Sequence, residues 1–98
     1  MNEECHVETV RKTPSVEEME DNTAVLLSVQ GMGCENCAAR VRNGLLAVYG
    51  VVAVDVSLGS GSAKVVFNPR LADVSHFERA VEQAGADGRH NYRARLIA

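Results

Sequence analysis

Gly31-Met32-Gly33-Cys34-Glu35-Asn36-Cys37 carries two of the chain's three cysteines, three residues apart, between a strand-like run and a helix-like run. Thiolates are ligands for soft cations. A helix start offers unpaired N–H groups and the positive end of the helix dipole, both of which favour an anion. The pair is therefore expected to ionise more readily than a free thiol, whose pKa is ~8.5. Two thiolates suit Cu(I), which accepts few sulfurs, and leave Zn(II) short of its tetrahedral set. A site with a vacancy also suits transfer, because an incoming thiolate can bind before an outgoing one leaves. The same spacing at a helix start serves thiol–disulfide exchange, so a dithiol redox protein is the alternative reading. No Trp or Pro flanks the pair to favour it.

Ninety-eight residues make one domain with a modest core. Aromatic residues are only 4% of the chain and tryptophan is absent, so the core is expected to be aliphatic. The net charge of −3 is unevenly placed. Residues 1–22 hold seven acids against Arg11 and Lys12, net −5, and residues 23–98 hold six acids against eight bases, net +2. Neither part is basic enough for nucleic acid. There is no secretory signal and no apolar run near the ~20 residues of a membrane span. The lack of such a run predicts no direct membrane insertion, and three cysteines without a disulfide-framework spacing point to a reducing, cytoplasmic setting.

Residues 1–22 lack periodicity and contain a Thr13-Pro14-Ser15 break, which predicts an acidic, disordered tail. Cys5 and His6 lie within it as candidate auxiliary ligands. Residues 23–98 read as the folded domain. Val25, Leu27 and Val29 alternate as the first strand, 23–30, with Leu26 out of pattern. Ala38, Val41, Leu45 and Val48 form one stripe of a helix running from 37 to about 48, with Arg40 and Arg42 outward. Gly44 has no evident reason there beyond close packing. The second strand is 51–58, with Val52, Val54, Val56 and Leu58 inward. Gly59-Ser60-Gly61-Ser62 reverses the chain into a third strand with Ala63, Val65 and Phe67 inward. Ser75-His76-Phe77-Glu78 reads as the capping box of a second helix, with Val74, Phe77, Val81 and Ala84 inward and Gly85 closing it. His76 is expected to be an exposed first-turn residue. After a loop at 86–91, Tyr92, Ala94 and Leu96 alternate in a last strand, 92–97. This order is an α+β, ferredoxin-like βαββαβ sandwich, a four-stranded antiparallel sheet with two helices on one face.

Gly31-Met32-x-Cys34-x-x-Cys37, followed by Val41, Leu45 and Gly50-Val51, resembles the heavy-metal-associated domain over residues 24–97. That family includes copper chaperones and the N-terminal modules of heavy-metal P-type ATPases. The resemblance implies that Cys34 and Cys37 bind the metal and that Met32 packs beneath the loop. It implies a non-enzymatic carrier with a metal-transporting P-type ATPase or another metal-binding domain as partner, and it allows a metal-bridged dimer. Cu(I) is favoured, with Zn(II), Cd(II), Pb(II) and Hg(II) left open. Zinc-type members often carry Asp before the first Cys, where this chain has Gly33. The family's aromatic or Lys before the last strand is missing at Gly85-Ala86, and the longer loop brings Arg89 and His90 as candidates for the site's edge.

Overall fold

The structure, a computed structural model, describes residues 12–33, 35–85 and 91–98. Its elements in chain order are α1 (Val16–Met19), β1 (Thr23–Gln30), α2 (Glu35–Leu46), β2 (Val51–Ser57), β3 (Ser62–Phe67), α3 (Val74–Ala84) and β4 (Arg93–Leu96). The strands form one antiparallel sheet in the order β2-β3-β1-β4. From β1 onward this is the ferredoxin-like order that the hydrophobic alternation predicts.

The period-two pattern places Leu27 and Val29 of β1, Ala63, Val65 and Phe67 of β3, and Ala94 of β4 on the side that α2 and α3 cover. Val41 and Leu45 from α2 and Phe77 and Val81 from α3 meet them, all fully buried. The core is mostly aliphatic, but three of the four aromatic residues sit in it. Phe67 and Phe77 pack edge to face with centroids 4.8 Å apart, and Tyr92 is fully buried. Gly44 also finds its reason. A Cβ there would lie 3.3 Å from the Ala80 carbonyl and 3.4 Å from the Ala84 methyl, so its absence lets α2 and α3 approach closely.

Several boundaries differ from the sequence expectation. α2 begins at Glu35 and ends at Leu46, about two residues earlier at each end than expected, and Cys37 lies inside its first turn. Arg40 and Arg42 are half-buried, not outward and fully solvated. In β2 a register irregularity between Val51 and Ala53 makes Val51 the fully buried residue, and Leu58 belongs to the turn. α3 is capped by Asp73, not by the Ser75 box. Asp73 Oδ1 accepts from the His76 N–H at 3.2 Å, and His76 Nδ1 accepts from the Asp73 N–H at 3.1 Å. Asp is an equally good cap and stands one position before the apolar stripe begins at Val74. The Ser75 hydroxyl donates to Asp73 at 2.6 Å and, with the His76 N–H, holds the Asp73 carboxyl below its usual range. β4 is shorter than expected, and Leu96 is half exposed at the edge of the sheet.

The largest difference lies in residues 12–22, which are not a featureless tail. Ser15 caps α1 and forms a capping box with Glu18. Glu18 is only 2% exposed. It pairs with Lys12 at 2.8 Å and accepts from the Gly50 N–H at 2.7 Å and the Ser15 N–H at 2.9 Å. Lys12 also donates to the Val48 carbonyl at 3.1 Å, and Asn68 Nδ2 donates to the Glu17 carbonyl at 2.9 Å. The segment is therefore a strap over the turn that joins α2 to β2. Composition alone hid it, because a buried acid reads as a solvated one until its partners from residues 48, 50 and 68 are in place. Residues 1–11, with Cys5 and His6, lie outside the described residues.

Burial alone would raise the Glu18 carboxyl, but the Lys12 ammonium and the Ser15 and Gly50 N–H groups outweigh it and hold the pKa down at about 2, from 4.5. A depressed carboxyl contributes stability that is complete above its unfolded value and is lost as pH falls through the folded one. Urea unfolding at neutral pH is expected to show Glu18→Ala less stable by about 2–3 kcal/mol, through a broken ion pair and an orphaned Gly50 N–H. The gap between wild type and Glu18→Gln should close as pH falls from 4.5 towards about 2.

Candidate metal centre

β1 delivers the chain to Gly31, whose φ of +96° is open to glycine and strained for other residues. The space a Cβ would need there is filled by the Asn91 carbonyl, and the Tyr92 ring lies 3.2 Å away. On its other edge the same ring stands 2.9 Å from where a Gly85 Cβ would be. Tyr92 is thus wedged between the start of the cysteine loop and the C-terminal cap of α3. Met32 is half-buried and packs against the core, in keeping with a loop anchor. Gly33 is exposed, with open space where a side chain would go.

Cys37 is the third residue of α2 and 4% exposed, part of the same core cluster as Val41 and Leu45. Cys34 lies outside the described residues, as do Ala86, Arg89 and His90, so what they contribute to the site stays with the sequence. Glu35, in the first turn of α2, is exposed. His76 is exposed as expected, but its Nδ1 is engaged in the α3 cap.

The role of Tyr92 went unread in the sequence. The expectation of a missing aromatic holds at Gly85, yet an aromatic ring packs against that glycine from seven residues further on. Its signal was present in the inward alternation of Tyr92 with Ala94, although nothing local tied it to Gly31.

An antiparallel β2-β3-β1-β4 sheet with a thiol in the first turn of its first crossover helix defines a class, and comparison bears the class out. The heavy-metal-associated domain model matches residues 26–87, more than half of the chain, and the chain belongs to that family. Among individual relatives it is 34% identical to the copper chaperone CopZ of Staphylococcus saprophyticus over 61 residues, covering 62% of this chain and 90% of that protein. It is 37% identical over 59 residues to the probable copper-transporting ATPase PacS of Synechococcus elongatus, covering 60% of this chain but only 8% of the ATPase. A mercuric transport protein periplasmic component of Salmonella typhi is 39% identical over 61 residues, with 62% and 67% covered. In structure, a copper binding domain from HMA7, a P-type ATPase, superposes with a TM-score of 0.69 at 31% identity, covering 76% of this chain and 93% of that one. No helix among the described residues is long and apolar enough to cross a membrane.

Gly31→Ala is expected to cost about 2 kcal/mol or more, through its positive φ and the clash with Asn91. Gly33→Ala should stay within about 0.5 kcal/mol. Thermal or urea unfolding of the two variants side by side measures this.

Proposed function

We propose that Cys34 and Cys37 together capture Cu(I) and release it by ligand exchange to a thiolate pair on another metal-binding domain or on a metal-transporting P-type ATPase. The observation that carries this reading is the position of Cys37 in the first turn of α2, directly after a glycine-bounded loop, within a heavy-metal-associated domain. Relatives named as copper chaperone and copper-transporting ATPase, and the copper-binding domain of similar structure, support copper as the cargo. The mercuric relative keeps Hg(II) in the comparison, alongside Zn(II), Cd(II) and Pb(II). The protein acts as a carrier, not as an enzyme, in a reducing cytoplasmic setting where the thiols stay available. Whether it works as a free chaperone or as the N-terminal module of an ATPase, the exchange chemistry is the same.

The chemistry asks nothing beyond sulfur exchange. The incoming thiolate adds to the under-coordinated ion, one of the two cysteine sulfurs leaves, and no electron changes hands. A dithiol redox role remains the second reading, resting on the same pair.

Reduced protein under anaerobic conditions is expected to hold one Cu(I) against a chelator of known affinity, with X-ray absorption showing sulfur-only coordination. Cys34→Ser and Cys37→Ser should each weaken Cu(I) by a hundredfold or more, about 3 kcal/mol. Failure to retain Cu(I), together with turnover of insulin or glutathione disulfides, would shift the assignment to the redox reading. Cys37→Ser should also lower stability by about 1–2 kcal/mol, because it puts a hydroxyl into the core. Calorimetry separates that loss from the loss of metal.

A further inference from the structure

Five of the six exposed large apolar side chains among the described residues fall into two groups. Val16, Met19 and Tyr49 form one, on the strap and the turn beneath it. Tyr49 is tied to the strap by its hydroxyl, which donates to Glu17 at 2.5 Å. Leu26 and Ile97 form the other, where β4 meets β1 at the sheet's edge, while Leu96, the register partner of inward Leu27, lies on the helix side. Leu26 and Ile97 are backbone partners there, the Ile97 N–H donating to the Leu26 carbonyl at 2.8 Å. All six are between 36% and 81% exposed.

The surroundings of the two groups are opposite in charge. On the strap, Glu18 is neutralised by Lys12, which leaves Glu17, Glu20 and Asp21 exposed around Val16 and Met19. On the sheet, the alternation that turns Leu27 and Val29 inward puts Leu26, Ser28 and Gln30 on the face that no helix among the described residues covers. The register sets Lys64 opposite Leu26, Arg95 opposite Ser28 and Arg93 opposite Gln30 on that face. Asp55, opposite Lys64 on β2, offsets one of these charges and leaves the two arginines. An apolar centre with an acidic rim and an apolar centre with a basic rim thus occur on one chain.

We propose that this chain self-associates, the strap of one copy docking on the uncovered β1/β4 face of another. Val16 and Met19 cover Leu26 and Ile97, while Glu20 and Asp21 meet Arg93 and Arg95. The contact joins unlike patches, so it is heterologous. Two or three apolar side chains on each side make a small interface, and the association is weak and reversible. Its charged rims steer the encounter and make it sensitive to salt. The contact uses no cysteine, so it stands or falls apart from the metal reading.

Sedimentation velocity of the full chain, reduced and metal-free with chelator present, tests this. The weight-average mass is expected to rise above that of the monomer as concentration approaches about 1 mM, and to fall back when salt is raised to about 0.5 M. Met19→Asp and Leu26→Asp should each weaken association at least about tenfold. A mixture of the two should associate again, because each variant keeps the patch that the other lacks. Glu20→Arg and Arg95→Glu repeat the design on charges alone, with circular dichroism confirming that each variant is folded. A monomeric mass at every concentration overturns the proposal. So does association that survives the single variants, or a mixture that does not recover it.

Discussion

The cysteine loop is held by a contact between segments sixty residues apart. Gly31 can turn the chain out of β1 only because it lacks a side chain. The place where one would sit is occupied by the backbone that leads into β4. Tyr92 closes the arrangement from beneath, with one ring edge against Gly31 and the other against Gly85. Three elements therefore converge under the loop: the end of β1, the cap of α3 and the start of β4. The backbone entering the loop is thereby fixed by packing from three elements.

Cys37 gives the same frame an inner anchor. As part of the core it is fixed by Val41 and Leu45 along α2 and by the sheet below them. Buried thiols pack as small hydrophobes, so the residue serves the fold whether or not a cation is present. The motif puts Cys37 at or just inside the helix start, and the helix begins two residues before it.

At the other end of α2 the strap makes a second, independent closure. Its stability comes from a single buried carboxylate whose lone pairs are answered by an ammonium and two backbone N–H groups. Such a group is costly to bury alone and tolerable when fully satisfied. Gly50 takes part twice. Its positive φ makes the turn, and its N–H reaches Glu18. The acidic segment is thereby held on the domain, with one of its charges inside and the others facing out.

The amino-acid order by itself determined the alternating strands, the two amphipathic helices, their succession and the cysteine motif with its family. These depend on periodicity and on residue types a few positions apart, and those are local properties of a chain. β1 lies where the alternation puts it, and the inward sides of β3 and α3 follow their stripes. Only the tertiary structure decided that Glu18 is a buried anchor, that Tyr92 packs against Gly31, that Gly44 lets two helices approach closely and that Leu26 is left exposed. Each of these depends on groups brought together from distant parts of the chain. A carboxylate, a phenol or a missing methyl takes its meaning from the neighbours that folding supplies, and no spacing along the chain names those neighbours.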